Sequence, residues 1–237
     1  MIDRHTIAFV SGANRGLGAQ FVARLLARGA GKVYAASRGG HVEHADARVI
    51  PVTLDITDEA SVANAARVAD DTTLLINNAG VNNQSAFLSP RAVEHARTEI
   101  EVNFLGTLRM ARAFAPVLIG RRGAMINVLS ILARVSLPAM GSLCASKAAA
   151  LRLTESLRAE LAPHGVSVLA ALPGAIDTDM SRDFDGPKLD PAFTADAVLD
   201  ALTGETGEVY IGAMAQGLAH DLALDRAATQ AQILSLP

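Results

Sequence analysis

The apolar positions of this chain follow two rhythms. Short runs are apolar almost throughout: Thr6–Ser11, Lys32–Ser37, Val49–Leu54, Thr73–Asn77, Ala124–Ser130, Val166–Leu172 and Glu208–Ile211. Continuous rather than alternating apolarity marks strands covered on both faces. Between them lie longer stretches with helical character: Gly16–Arg28, Asp58–Ala69, Pro90–Leu118, Ser142–Leu161 and Thr194–Leu202. In the fourth of these, Leu153, Leu157 and Leu161 share one helix face. Strand and helix in alternation predict an α/β fold. We expect one doubly wound, Rossmann-like parallel sheet of about seven strands, with right-handed crossovers and helices on both faces. Ligands of such a sheet bind beyond the carboxyl ends of its strands. The polar segment Ser181–Asp190, holding Gly186 and Pro187, reads as a mobile loop rather than a boundary. The 237 residues are therefore expected to form a single domain.

Composition narrows the classes. Half the residues are apolar, 19% are charged, and the formal net charge is −3. The arginines are scattered rather than clustered, so no nucleic-acid surface is expected. The longest apolar stretch, Val166–Ile176, is too short to span a bilayer and carries Pro173, so no membrane association is expected. A lone cysteine, Cys144, cannot form an intrachain disulfide and fits a reducing compartment. With no secretory signal at the N-terminus, a cytoplasmic protein is expected. The six histidines have no metal-ligand spacing, and no metal site is expected.

The first strand runs into Ser11-Gly-Ala-Asn-Arg-Gly-Leu-Gly18, and a helix follows. Glycines there allow a tight turn and close approach to a pyrophosphate, and the helix N-terminus adds free N–H groups. By itself the turn is also compatible with an ordinary strand–helix connection. Its spacing is Gly-x-x-x-Gly-x-Gly, and with Asn77-Asn-Ala-Gly80 at the end of the fourth strand it resembles the short-chain dehydrogenase/reductase family. Ser11 stands where that family usually has Thr and keeps the hydroxyl.

The resemblance implies an enzyme that moves hydride between a nicotinamide dinucleotide and a small molecule. It assigns cofactor contacts to Gly12, Asn14, Arg15, Gly16, Leu17 and Gly18, to Asp55 and Ile56, and to Asn78, Ala79 and Gly80. It adds Pro173, Gly174, Ile176 and Thr178 in Pro-Gly-x-x-x-Thr, and Lys147. The second strand ends at Ser37-Arg38, where an acidic residue would bind the ribose of NAD and repel a 2′-phosphate. Arg38 and Arg15, with no carboxylate between them, favour NADP(H).

The same resemblance places Asn103 in a proton relay, Ser130 on the substrate oxygen, and Tyr-x-x-x-Lys thirteen residues beyond Ser130. The chain reads Leu143-Cys-Ala-Ser-Lys147. Lys147 is in place, but the tyrosine position is Leu143. Residues four apart share a helix face, and a shift to Ser142 or Cys144 breaks that spacing. A phenol would stabilise and protonate the developing alkoxide, work worth ~10²–10⁴ in rate that leucine cannot do. Three readings stand open. Position 143 of an ordinary carbonyl reductase was changed; or the natural reaction needs no phenol, as with an iminium ion that arrives protonated; or the chain binds NADP without catalysis, as a sensor or partner subunit. Cys144 reads as a small buried residue, and Asp177 and Asp179 as solvated turn residues. Met180, Phe184 and Leu189, with Leu137, Met140 and Leu143, form a candidate apolar substrate wall. The resemblance also implies a homodimer or homotetramer formed through Pro90–Leu118 and Ser142–Leu161.

Overall fold

Seven strands lie in one sheet in a computed structural model that describes residues 2–42, 44–204 and 207–235. They are β1 (Ile7–Ser11), β2 (Lys32–Ser37), β3 (Val49–Thr53), β4 (Leu74–Asn77), β5 (Ala124–Val128), β6 (Ser167–Pro173) and β7 (Glu208–Ile211). The order is β3-β2-β1-β4-β5-β6-β7, and every pairing is parallel. The winding reverses between β1 and β4, which opens a crevice beyond their carboxyl ends. All seven strands were legible as apolar runs, each end within two residues of the expected one.

Alternation within β1 sorts the two faces. Ala8 and Val10 join a core with α1 (Gly16–Ala27), while Phe9 points the other way, to α2 (Glu59–Val68). The stretch expected as one helix from Pro90 to Leu118 is instead three segments. These are α3 (Ala92–Glu99), a π-helical stretch (Ile100–Gly106) and α4 (Thr107–Arg121). Phe9 and Phe114 pack with ring centroids 4.7 Å apart, and Met110 and Leu118 complete that layer. The run Ala92–Arg121 is, among the described residues, the one helix long and apolar enough to cross a bilayer. Its Met110, Ala111, Phe114 and Leu118 are sealed against the sheet, so it serves as a core helix. Next comes α5 (Gly141–Leu161), which packs its Leu157 and Leu161 into the same core as α4. On the opposite face α6 (Pro191–Asp200) joins α1 through Ala195, Val198 and Leu199.

Caps explain several starts. Asp58 accepts the Ala60 N–H before α2, and Asp190 accepts the Phe193 N–H before α6, with Pro191 in the first turn. Two helices were not anticipated from the sequence: α7 (Ala213–Leu224) and α8 (Arg226–Leu234). Gly212, at φ +86°, turns the chain into α7, and Asp225 caps α8 on Ala228. They carry few buried residues, so the apolar rhythm that marks core helices is faint there.

Candidate active site

The glycine loop follows β1 directly. Gly12 and Gly16 adopt φ of +66° and +53°, a region that penalises any side chain. Gly18 is required by space instead: a Cβ there would lie 2.0 Å from the Gly12 carbonyl oxygen. The Ala13 N–H donates to Ala36 O at 2.9 Å, which pins the loop to the end of β2. The Ser11 hydroxyl oxygen accepts from the N–H groups of Asn78 (3.0 Å) and Ala79 (3.1 Å). Asn78 Nδ2 donates back to Ser11 O and Gly12 O. One hydroxyl and one carboxamide thus hold the ends of β1 and β4 in register. The residue before α1, Arg15, gives its N–H groups no side-chain cap, and no acid lies in the first turn. This is the donor set an anionic phosphate needs. The side chain of Leu17 goes to the core, and Asn14 is exposed.

At the end of β2, Ser37 is buried and its hydroxyl donates to His41 O at 3.3 Å. Arg38 is exposed, and its charge acts on Asp55. The Thr57 hydroxyl and N–H hold the Asp55 carboxyl below the usual carboxylate range, and Arg38 assists. Ile56 buries its side chain at the helix where Gly106 approaches, so only its main chain is left to face a ligand. Of the two arginines expected near the 2′-phosphate, Arg15 has a carboxylate partner. Arg15 Nη1 donates to Asp179 Oδ2 at 2.7 Å, across 164 positions of sequence. The guanidinium therefore bridges the glycine loop to the loop after β6, and Arg38 is the cation left at the end of β2.

At the other end of the crevice, Asn103 sits inside the π-helical stretch and is buried. Single π turns recur where a side chain must be re-aimed. Its Oδ1 accepts from Val81 N (2.9 Å), and its Nδ2 donates to Val81 O and to Ser146 Oγ, both at 3.0 Å. The Ser146 hydroxyl in turn donates to Leu143 O at 2.9 Å. Lys147 Nζ donates to Val128 O at 3.1 Å, at the end of β5. A Cβ built on Gly80 would be 3.1 Å from Asn103 Oδ1 and 3.6 Å from Lys147 Nζ. Gly80 is therefore the point at which Asn103 and Lys147 converge. Burial pushes the Lys147 ammonium down to about 8, against the opposing pull of Glu99. Ser130 lies at the end of the strand segment, and its Oγ accepts the Leu132 N–H at 3.1 Å. Leu143 is buried in the first turn of α5, one turn before Lys147. Cys144 is buried too; the Leu137 N–H points at its sulfur, and burial pushes its thiol up.

The segment after β6 crosses back over the crevice. Gly174 N–H donates to Ile211 O, Pro173 pairs with Ile211 and Ile176 bridges Leu189, and of this segment it is Thr178 that lies against Gly16 in the glycine loop. Asp179 is exposed and tied to both Arg15 and Arg182, in keeping with a turn residue. The loop at 181–190 is pinned at Leu189, which bridges Ile176 and packs on Gly212. Leu189 thus belongs to the core side and not to the expected substrate wall. Met180 is exposed, Met140 lies near Asn82, and Phe87 closes over Gly141.

Residues 6–188 match the short chain dehydrogenase family. The chain belongs to that family. A short-chain dehydrogenase of Burkholderia cenocepacia, solved in complex with NADP, is 55% identical, covers 98% of each chain and superposes with a TM-score of 0.95. A short-chain dehydrogenase of Penicillium crustosum is 35% identical over 187 residues, 75% of this chain and 68% of its own length. An uncharacterised oxidoreductase of Staphylococcus aureus is 32% identical over 213 residues, 83% of this chain and 90% of its own.

Three buried polar residues of this short-chain dehydrogenase were not singled out in the sequence: Ser146, Asn127 and Glu99. Ser146 accepts from Asn103 Nδ2 and donates to Leu143 O, and Asn127 accepts from Asn77 and donates to Thr154 (2.8 and 2.9 Å). Glu99 is wholly buried, with Oε1 accepting from Asn83 N at 2.6 Å. One signal pointed to Glu99: it precedes Asn103 by four residues and so shares its helix face.

Proposed function

We propose that this chain is an NADP(H)-dependent reductase acting on a C=O or C=N bond of a fairly apolar small molecule, with Leu143 in place of the family's catalytic tyrosine. The observation that carries the reading is the convergence of Asn103 and Lys147 at Gly80 beside an apolar residue 143. The glycine loop and uncapped α1 fit a dinucleotide pyrophosphate. Ser37 and Arg38, without an acid at that strand end, fit the 2′-phosphate. The NADP complex of the 55% identical relative supports the same choice. When bound, the reduced cofactor supplies hydride to the substrate carbon.

What this chain's own residues contribute is proton handling and shape. Ser130 offers a hydroxyl to the substrate oxygen or nitrogen. Lys147, with a pKa near 8, holds a proton that is transferable close to neutrality. Leu143 and Met140 give the site an apolar wall. An iminium substrate suits this set best, because it brings its own proton and leaves as a neutral amine. We infer from the family that the enzyme works in the cytoplasm as a homodimer or homotetramer.

NADPH oxidation by this chain and by Leu143→Tyr, against apolar ketones and preformed cyclic imines, tests the reading. Imine reduction by the parent chain that equals or exceeds that of the tyrosine variant is expected. Ketone reduction should rise in the variant by about 10²-fold, the typical worth of a general acid. Turnover of neither substrate class by either protein, with NADPH still bound, points instead to a binding protein.

A further inference from the structure

The segment that follows Gly80 is laid along the start of α5. Asn82 Nδ2 lies 4.0 Å from Met140 Sδ, the ring of Phe87 rests on Gly141, and Ser142 Oγ donates to Ser85 O at 3.5 Å. Met140, Gly141 and Ser142 are the three residues immediately before Leu143. The segment is also pinned from behind. Asn103 holds Val81 by its N–H and its carbonyl, and Glu99 Oε1 accepts the Asn83 N–H at 2.6 Å. The Ser85 and Ser89 hydroxyls pair at 2.9 Å on either side of Phe87. Phe87 is nevertheless 56% exposed. It is thus a ring held in place with one face open, not a side chain on a loose loop. Gly141 has a helical φ of −56°, which any residue adopts, so the backbone does not call for glycine there. The ring does: a Cβ at Gly141 would lie 2.6 and 2.7 Å from two of its carbons. From the same segment Gln84 Nε2 reaches Asp183 Oδ2 (3.5 Å) in the loop after β6. Phe87 therefore stands at the rim of the crevice, beside the reaction end.

We propose that Phe87 is a specificity-determining residue: its open face receives a planar apolar ring joined to the C=O or C=N group of the substrate. The proposal deepens the proposed function and rests on it. Aromatic rings attract one another in offset-stacked or edge-to-face geometry, beyond the area they bury. A receiving ring that is already fixed loses little further freedom when a ligand settles on it. A saturated ring of the same size covers the same surface but forgoes the aromatic contribution. The substrate class favoured is therefore an aryl ketone or aryl imine over its cyclohexyl counterpart.

The test is binding without turnover. The chain is saturated with NADP, the oxidised form that cannot deliver hydride, and titrated calorimetrically with 2-phenyl-1-pyrroline and with 2-cyclohexyl-1-pyrroline. The ratio of the two affinities should favour the phenyl probe by about 3–10-fold more in the parent than in Phe87→Ala. Phe87→Leu, which keeps apolar cover without a ring, should lose the same preference and serves if the alanine variant does not fold. Gly141→Ala should lose it too, because the new methyl group must lift the ring from its seat. In the Phe87→Ala background, Gly141→Ala should change nothing further. Retention of the parental ratio in the Phe87 variants or in Gly141→Ala overturns the proposal and leaves the reductase reading standing. Failure of both probes to bind the parent sinks the proposal together with that reading. A Phe87→Ala protein that keeps the ratio but sediments as a smaller species assigns the ring to a contact between copies of this chain, and also overturns the proposal.

Discussion

The two ends of the crevice are built by different means. At the nucleotide end, position is set by backbone. Gly12 and Gly16 occupy left-handed conformations, Gly18 sits where no Cβ fits, and β1 and β4 are stitched by Ser11 and Asn78. At the end proposed for the reaction, the groups are side chains from separate elements: Asn103 in the π stretch, Ser130 after β5, Leu143 and Lys147 on α5. A change at the first end moves the chain itself. At the second, single side chains carry the groups, the polar ones each held to the main chain by their own hydrogen bonds. That asymmetry explains how a short-chain dehydrogenase can keep an intact nucleotide cradle around a residue 143 that is not tyrosine. A substitution in the cradle disturbs the chain path, whereas a substitution at the other end exchanges one side chain for another.

The sharpest break of this comparison is Gly18→Ala. One methyl group would meet main-chain oxygen, which cannot rotate away, so the loop or the start of α1 must shift. We expect NADPH affinity to fall by more than about 100-fold and stability by about 3 kcal/mol or more. Fluorescence titration with NADPH and urea unfolding read both. Near-parental binding would show that the loop tolerates movement and that the two ends are less different than drawn.

Arg38→Ala has a smaller effect and sharpens the nucleotide end itself. Arg15 is engaged with Asp179, which leaves Arg38 as the proposed partner of the 2′-phosphate. NADPH affinity should drop about 10–30-fold, as for loss of one charge-assisted contact, while NADH affinity should stay nearly constant. Equal losses for both dinucleotides would remove Arg38 from 2′-phosphate recognition.

The same division decides what could be read in the sequence. The nucleotide end is local: Ser11 to Gly18 is one contiguous turn, and its glycine spacing carries its geometry. The strands were legible because burial on both faces makes apolar runs continuous. What could not be read is what depends on meeting distant residues. Nothing in the neighbourhood of Arg15 announces Asp179, and nothing local to Leu189 shows that it docks under Gly212 rather than facing substrate. The π-helical stretch was invisible for a related reason. Its residues keep ordinary helix-forming character, and the extra residue per turn shows only once Asn103 has to reach Val81 and Ser146. Helices α7 and α8 escaped notice because they bury too little to impose a rhythm.

The smallest effect isolates the reaction end from catalysis altogether. Lys147 has its pKa lowered from 10.5 to about 8, chiefly by burial. Below pH 8 the folded and unfolded chains both hold the proton, and the folded state bears the full penalty of enclosing the charge. Between pH 8 and 10.5 the unfolded chain still holds the proton that the folded chain has released, so stability rises with pH through that window. Lys147→Met removes this dependence. The methionine variant should therefore be more stable than the parent near pH 7, by about 1–2 kcal/mol given the lysine's partial access to water, and the gap should close toward pH 10.5. Taking the difference between the two proteins cancels the tyrosines and the other lysines that titrate in the same range. A gap that stays constant from pH 7 to 10 would mean that Lys147 is not strained by its surroundings. The reaction end would then have no more built-in cost than the cradle at the other end of the crevice.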